Sequence, residues 1–436
     1  MDRRAAAFAA ALTVLTAALI ALGERERRSE APRAPSETPL ALAVVTVPAS
    51  GDNPLDRRIR ALQARLRSAT PRLLDVEQLG WGFVERARAS SDAGDWRLAL
   101  ECARALEALG GARPEAWLLE GHALHALHRF EDAERVARQL AETRGLAFDH
   151  GLLGDVLLDL GRTEEAAAAY QRMMDLRPDA HAFARAAELR WITGDAEGAA
   201  EALRTAARAV SPRRAEAFAW IHARLATVEL ERGDPAAAAA LAERALEAQP
   251  ESAPAQLALG RAWLARGEPT RALPPLRGSA ERDGTPEALW ILAEAARAAG
   301  REQEAADAEQ RLLAEGRARD PRGVARFLAV TGRDAALALA LAEAEAARRS
   351  DPTTLSVLAL AQARAGLGAQ ARETLERSRA AGTVDARLLY EAGLALELVG
   401  ANPEARRFFR LARPLASALL PSERAALARR PLSGGA

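Results

Sequence analysis

A small residue recurs along most of the chain at a nearly constant interval. Ten alanines lie at the same place in this pattern, 33 or 34 residues apart except for one interval of 39: Ala99, Ala133, Ala166, Ala199, Ala238, Ala272, Ala305, Ala338, Ala371 and Ala405. A glycine precedes eight of them by five residues. A period of this length, sustained over so many units, is typical of arrays in which each unit packs only against its neighbours. The sequence therefore predicts one repeat array rather than several globular domains.

Each unit has the pattern of two short helices joined by a tight turn. In the stretch 147–178, Leu153 and Leu157 recur at helical spacing before Gly161, and a second apolar run follows. Gly161 suits the left-handed backbone conformation that ends a helix, and Pro178 cannot continue the second helix. We therefore expect a helical hairpin in every unit.

The composition favours closely packed helices and argues against a general nucleic-acid-binding protein. The chain has 60 acidic and 60 basic residues, and all of the basic residues are Arg. Binding to nucleic acid needs an excess of positive charge on one face. Hydrophobic residues make up 49% and aromatic residues only 4%, so the apolar content is mostly Ala and Leu, which favours an all-α fold. The one candidate strand is the stretch 44–47.

The repeat resembles the tetratricopeptide repeat. One unit carries the family pattern in Trp117, Gly121, Phe130, Ala133 and Leu140, and the next carries it in Leu153, Gly154, Ala166, Tyr170 and Pro178. Four other units have Ala in place of the first-helix Gly, which preserves close helix approach. The resemblance implies an all-α, right-handed superhelical solenoid of about ten antiparallel helical hairpins over residues 80–415. A helical lead-in at 56–79 would precede it, and a capping helix and tail at 416–436 would follow.

Two places in the sequence should interrupt regular stacking. The interval of 39 residues falls around Pro212, where we expect the register to break. Pro274 and Pro275 lie within a predicted second helix and should kink or shorten it. Each place is either a tolerated irregularity or a functional bend.

The resemblance also implies which residues meet a partner, because first-helix residues of this family line a concave surface. Carried onto this sequence, these positions give the predicted partner-binding residues: Trp81, Arg88, His122, His125, Asp155, His181, Glu188, Trp191, Trp220, Trp290, Arg297 and Tyr390. Exposed aromatic residues beside Arg and carboxylates suit a protein or peptide partner. The alternative is that tryptophans pack between helices, and this alternative stays open for Trp81, Trp191 and Trp220.

Three histidines on one predicted helix raise a second hypothesis. His122, His125 and His128 follow each other at intervals of three residues, so two of them could share a metal ion with groups from the next hairpin. The candidate ligands are then His122, His125 and His150. No compact set of carboxylates or Cys accompanies them, so we favour a solvated or partner-facing role and assign no metal site and no cofactor.

The N-terminal segment predicts export. Residues 5–22 carry no charge and follow two Arg, which fits either a cleaved signal peptide ending at residue 23 or a retained membrane anchor. Residues 24–55 are rich in Pro and Ser and predict a linker. We expect the protein at the cell envelope, on the periplasmic side or anchored in the inner membrane, with membrane contact only through this segment.

The sequence contains no enzyme signature. It has no Gly-rich phosphate loop and no H-E-x-x-H, G-x-S-x-G or C-x-x-C motif. We therefore predict a non-enzymatic scaffold that binds a protein or peptide but not nucleic acid, with a helical metal-binding protein as the alternative. The oligomeric state stays open.

Overall fold

The computed structural model describes residues 40–68, 70–90 and 93–430, and this part of the chain forms 23 α-helices, one 3₁₀ helix and no strand. Two helices come first, α1 (Leu40–Val45) and α2 (Pro54–Ser68). Twenty helices then pair into ten antiparallel hairpins, which confirms the predicted solenoid. The described part ends with a 3₁₀ helix (Arg413–Ala418) and α23 (Pro421–Ala428).

In each hairpin the first helix has an odd number and the second an even one. The pairs are α3 (Leu73–Ser90) and α4 (Ala93–Gly110); α5 (Pro114–Ala126) and α6 (Phe130–Thr143); α7 (Ala147–Asp159) and α8 (Thr163–Leu176); α9 (Ala180–Ile192) and α10 (Ala196–Ala209); α11 (Ala215–Glu231) and α12 (Pro235–Ala248); α13 (Ala253–Ala265) and α14 (Pro269–Arg282); α15 (Pro286–Ala298) and α16 (Glu302–Arg319); α17 (Pro321–Thr331) and α18 (Ala335–Ala346); α19 (Pro352–Arg364) and α20 (Gly368–Arg379); and α21 (Ala386–Leu398) and α22 (Asn402–Ala412).

The turn inside most hairpins uses a residue with left-handed backbone conformation. Gly161 has a φ of 75°, and a β-carbon there would lie 2.7 Å from the backbone oxygen of Ser350, so only Gly fits. In the second hairpin His128 takes this position with a φ of 57°, which is uncommon for a residue with a side chain. The recurring glycine is therefore a turn residue that ends the first helix.

The recurring alanine is a packing residue. All ten alanines of the period are at most 2% exposed. A β-carbon at Gly154 would lie 2.3 Å from Cε1 of Tyr170, so that glycine allows α7 and α8 to approach closely. The alanines that replace this glycine in other hairpins are buried as well: Ala187, Ala226, Ala293 and Ala359. The repeat motif thus specifies helix contact throughout the array.

The irregular places in the sequence change the fold less than predicted. The long interval lengthens α11, which has 17 residues. Pro274 and Pro275 lie inside α14, which remains a continuous helix of 14 residues, so the expectation that they shorten it is wrong. The carbonyl groups that lose a helical donor belong to Thr270 and Arg271, which are exposed residues of the first turn where water can replace that donor.

The segment before the array packs against the first hairpin. Leu42 and Val45 of α1 are buried, and the side-chain amide of Gln63 in α2 donates hydrogen bonds to the backbone oxygens of Val45 (2.9 Å) and Val47 (2.6 Å). The interpretation as a linker is therefore wrong for residues 40–53. The candidate strand is also wrong, because these hydrogen bonds hold the stretch as helix and turn.

The predicted signal segment and the first part of the predicted linker, residues 1–39, lie outside the described residues, as do residues 431–436 of the predicted tail. Among the helices that the structure describes, none combines the length and the apolar character needed to cross a bilayer.

Residues 413–430, which we refer to as the C-terminal segment, fold back along the array. The 3₁₀ helix contacts α11, α13 and α21, and α23 contacts α15. Leu419, Leu420 and Leu427 are buried. The predicted terminal helix is therefore present, but it contacts the seventh hairpin, and the 3₁₀ helix before it reaches back as far as the fifth, so the segment does not cover only the tenth.

Turns of early hairpins also touch the loops between late hairpins. The backbone oxygen of Asp159 accepts a hydrogen bond from the Ser350 N–H (3.0 Å), and the Asp159 carboxylate pairs with Arg349 (2.8 Å). The Thr383 hydroxyl donates to the backbone oxygen of Ile192 (2.5 Å). We refer to these contacts, between the turns of hairpins 3 and 4 and the loops after hairpins 8 and 9, as the closure interface. Through it the solenoid touches itself and forms a ring.

Candidate functional site

The first helices of the early hairpins bring polar and aromatic side chains together. The rings of Trp81 and His122 meet edge-on with their centroids 5.7 Å apart. Burial, followed by the positive charge of Arg88, lowers the pKa of His122 to about 3, while Asp155 acts in the opposite direction and Arg185 lowers it further. These five residues lie on α3, α5, α7 and α9. Side chains from four successive first helices therefore face one interior space.

We refer to this row as the N-terminal inner surface. Its members on α3, α5, α7, α9 and α11 are Trp81, Arg88, His122, Phe148, Asp155, His181, Arg185, Glu188, Trp220 and Arg224.

Ion pairs join neighbouring first helices along this surface. Arg185 donates to both carboxylate oxygens of Asp155 (Nε–Oδ1 2.8 Å and Nη2–Oδ2 2.7 Å), and the Tyr170 hydroxyl donates to Oδ1 (2.9 Å). Burial is the largest single influence on the pKa of Asp155 and would raise it, but the charge and hydrogen bonds of Arg185, together with His125 and the Tyr170 hydroxyl, hold the pKa below its ordinary value. Glu188 and Arg224 form the next pair. Asp155 is thus fully engaged within the chain and positions its neighbours.

The two Arg residues of these pairs were not among the predicted site residues. Arg185 and Arg224 follow their acidic partners by 30 and 36 residues, which is about one helical turn less than the local repeat interval. Glu231 of α11 and Arg261 of α13 form a third pair with the same kind of spacing. Such pairs can therefore be identified in the sequence as an acidic residue followed by an Arg, with a separation three or four residues shorter than the local repeat interval.

An aromatic group near the start of α7 remains partly open. Phe148 is 39% exposed, and its ring meets His181 of the next first helix edge-on at 5.9 Å between centroids. The guanidinium of Arg177 lies 5.6 Å from the same ring, within the range of a cation–π interaction. An aromatic ring with a cation and an imidazole beside it suits a partner that presents an apolar or aromatic side chain.

The two tryptophans predicted to anchor a partner have different environments. Trp191 is half-buried and packs against a core cluster that includes Ala187 and Leu225, so the packing interpretation fits it better. Trp220 is 43% exposed. It lies one helical turn before Arg224, on the side of α11 that bears the ion pair with Glu188. Trp220 is therefore the open indole of this surface.

The predicted binding residues of the late hairpins have other roles. Trp290 and Tyr390 are each 3% exposed, so the expectation that they line an open face is wrong. The guanidinium of Arg326 lies 4.7 Å from the Trp290 ring, and Arg430 of the C-terminal segment covers Tyr390 at 5.8 Å. Arg297 is half-exposed, but it donates to Glu309 (2.6 Å).

The histidines are dispersed among separate contacts. His125 pairs with Asp159 (Nε2–Oδ2 2.8 Å) beside the closure interface, whereas His122 contacts the Trp81 ring. Burial and the charge of Arg172 lower the pKa of His150, which lies elsewhere on α7. Within the described ranges, no group of three His, Cys, Asp or Glu side chains is placed to hold a metal ion. The metal-binding alternative has no support from these residues.

Beyond this surface, Glu231 is a buried carboxylate with one unmatched oxygen. Arg261 donates to Oε1 (2.7 Å), whereas Oε2 has no hydrogen-bond partner among the described residues. Burial, followed by the negative charge of Asp385, raises the pKa of Glu231 from 4.5 to about 6. As the pH falls through 6, the folded chain takes up this proton before the unfolded chain does. The ionised group therefore destabilises the fold above pH 6, and that effect disappears below about pH 4.5.

Replacing Glu231 by Gln should accordingly raise the free energy of unfolding at neutral pH by on the order of 2 kcal/mol. The gain should fall below about 0.5 kcal/mol near pH 4.5, because the wild-type carboxyl is then protonated in the folded state and about half protonated in the unfolded state. Urea unfolding at the two pH values measures the difference. Glu404→Gln, at an exposed pair with Arg372, is the control and should show no such gain. An equal gain from Glu231→Gln at both pH values would refute the buried-charge explanation.

Comparison with known proteins agrees with this architecture. A sequence profile of the tetratricopeptide repeat matches residues 152–218 and 224–284. These two stretches are therefore similar to tetratricopeptide repeats, as the sequence predicts, and arrays of such repeats present extended concave binding surfaces. No curated protein matches the chain in sequence.

Several solved repeat structures align with the chain at low identity. Pseudomonas aeruginosa pilF has 17% identity and a TM-score of 0.39, with 50% of this chain and 97% of that chain aligned. A tetratricopeptide repeat protein from Parabacteroides merdae has 14% identity and a TM-score of 0.39, with 56% and 93% aligned. The human IFIT1 dimer with PPP-AAAA has 14% identity and a TM-score of 0.46, with 86% and 99% aligned. Similarities at this level carry no conclusion about a ligand.

Proposed function

We propose that the protein is a non-enzymatic scaffold that binds a protein or peptide partner through the N-terminal inner surface. The observation that carries this proposal is the open indole of Trp220, 43% exposed beside the Glu188–Arg224 pair. A large aromatic side chain that remains accessible on a concave face is a typical anchor for a partner. Phe148, which is 39% exposed, offers a second anchor further along the row.

The charge of the surface favours a protein or peptide over nucleic acid. Arg185 is held by Asp155 and Arg224 by Glu188, so much of the positive charge on the inner helices is already neutralised. A phosphate backbone would need several free cations along its path. A polypeptide instead fits a surface where aromatic rings alternate with balanced ion pairs.

Replacing Trp220 by Ala should weaken partner binding by on the order of 2 kcal/mol, or about thirtyfold, without lowering the melting temperature. The reason is that an exposed indole contributes to a complex but little to the core. The partner is first captured from cell-envelope extracts on the immobilised wild-type chain, and its affinity is then measured for each purified variant. Thermal melting is recorded in parallel.

Two matched variants make this result specific. Leu411→Ala removes a similarly exposed apolar side chain, 48% exposed on α22, and should bind the partner as the wild type does. Trp191→Ala should lower the melting temperature, since this indole packs in the core. Unchanged affinity of a folded Trp220→Ala variant would defeat the proposed surface.

The same proposal places the scaffold at the cell envelope, with its repeats on the periplasmic side. Its support is the uncharged stretch 5–22 between clusters of Arg. Cell fractionation tests the location, and N-terminal sequencing shows whether Glu24 becomes the first residue. Recovery of the full-length chain in the cytosolic fraction alone would reject this part of the proposal and leave the binding surface unaffected.

A further inference from the structure

The helix α23 is held by charged groups from distant first helices. Its backbone N–H at Ser422 donates to the Glu294 carboxylate of α15 (2.9 Å), across 128 positions of sequence. The Glu423 carboxylate pairs with Arg326 of α17 (3.0 Å), across 97 positions. A carboxylate at a helix N-terminus and an acidic side chain in its first turn both complement the helix dipole. The start of α23 is thus recognised by an acid and an Arg of the array.

The next residue of the segment binds the backbone of the array. Arg424 donates to the carbonyl oxygens of Leu264 (2.9 Å) and Ala265 (3.2 Å), where α13 ends. The C-terminal end of a helix carries partial negative charge and carbonyl groups without helical donors, so it favours a guanidinium. In the other direction, Arg261 of α13 donates to the Ala418 carbonyl oxygen of the segment (3.3 Å).

Apolar side chains complete the contact. Leu420 precedes the first turn of α23 and is 7% exposed, and Leu427 lies in its last turn and is 1% exposed. Pro421 occupies the first helical position, where a missing N–H costs nothing. The segment therefore presents a compact pattern: an apolar residue, Pro at the helix start, an acid and an Arg in successive positions, and a second apolar residue near the helix end.

We propose that the inner face of hairpins 6–8 is a second docking surface, specific for a short partner helix with this pattern, and that the C-terminal segment occupies it as an intrachain ligand. Glu294, Arg326 and the end of α13 each satisfy a different group of the helix, which is the arrangement of a recognition site. A tethered ligand has an effective concentration in the millimolar range, so a partner helix competes with the segment for this face. A partner helix must therefore reach a concentration, or have an affinity, high enough to displace the chain's own helix from this face.

This surface differs from the N-terminal inner surface in residues and hairpins, so the two proposals can fail separately. Trp220→Ala should leave binding at hairpins 6–8 unchanged. Weakening of the C-terminal segment should, conversely, leave the affinity at the N-terminal inner surface within about twofold.

The test uses the full chain and a fluorescent peptide with the sequence of residues 416–430. The variant Glu423→Gln, Arg424→Ala weakens the intrachain ligand but leaves the docking face intact. Fluorescence anisotropy should show at least tenfold tighter peptide binding to this variant than to the wild-type chain. A peptide that carries the same two substitutions should bind the variant at least tenfold more weakly than the unmodified peptide. Adding Glu294→Ala to the variant should abolish the gain.

Circular dichroism shows whether each variant is folded. If the double variant is not folded, a second experiment tests the proposal on the wild-type chain. Excess unlabelled peptide should accelerate hydrogen exchange in residues 421–428 of the isotope-labelled wild-type chain, because it displaces that helix. No gain in peptide affinity by a folded variant, or no change in exchange at saturating peptide, overturns the proposal. Concentration-dependent dimerisation of the variant without a gain in peptide affinity also overturns it and assigns the face to a second copy of the chain.

Discussion

Replacing Glu391 by Ala should lower the free energy of unfolding by about 3–5 kcal/mol. Glu391 is 1% exposed. Its carboxylate accepts from Arg326 (2.5 Å) and from the Ser356 hydroxyl (2.8 Å), so it joins three successive first helices. Removal leaves the buried guanidinium with Glu423 alone, and the Ser356 hydroxyl loses its acceptor.

Chemical denaturation followed by circular dichroism measures this loss. Glu404→Ala is the matched control, because Glu404 pairs with Arg372 at 3.3 Å on the exposed surface, where such a pair contributes less than about 1 kcal/mol. Similar small losses for the two variants would show that the ion cluster around Arg326 contributes no more than an ordinary surface pair.

Replacing Phe409 by Ala should cost about 3–5 kcal/mol through loss of buried apolar contact and creation of a cavity. Phe409 is 2% exposed and packs against Gly393 of the preceding helix, where a β-carbon would lie 2.4 Å from its Cε1. The guanidinium of Arg430 lies 4.7 Å from its ring. This one side chain therefore connects the last hairpin with the C-terminal segment.

Thermal and urea unfolding of Phe148→Ala provide the control, since Phe148 is 39% exposed and its truncation should cost less than about 1 kcal/mol. Adding Gly393→Ala to Phe409→Ala should then cost less than Gly393→Ala does in the wild type, because the vacated space accepts the new methyl group. Equal losses for the two Phe variants, or simple additivity with Gly393→Ala, would contradict the packing described here.

The architecture follows from the sequence because its determinants are local. Gly233 and Ala238 lie five residues apart, and their roles, a left-handed turn and a buried helix contact, depend on the hairpin that contains them. The same local pattern therefore predicts the same helical hairpin in every unit. A position such as Ala293, which replaces a Gly, still satisfies the requirement for a small side chain.

The site was only partly predictable because accessibility depends on distant parts of the chain. Trp290 and Trp220 both lie at first-helix positions predicted to face inward, yet Trp290 is 3% exposed and Trp220 is 43% exposed. The difference arises from tertiary contacts: the guanidinium of Arg326, which the C-terminal segment engages through Glu423, lies over Trp290. A repeat motif contains information about each hairpin and its neighbours only. Contacts between residues 97 or more positions apart therefore cannot be predicted from it.

The closure interface restricts the number of hairpins that this array can contain. An open solenoid gains or loses a repeat with only local consequences, because each unit adds a small rotation and touches only its neighbours. Here the Thr383 hydroxyl must reach the Ile192 carbonyl, 191 positions away, and Arg349 must reach Asp159. One hairpin more or fewer between these residues would rotate the two edges past each other. The number of hairpins inside the ring is thus fixed in the way that strand number is fixed in a closed β-barrel.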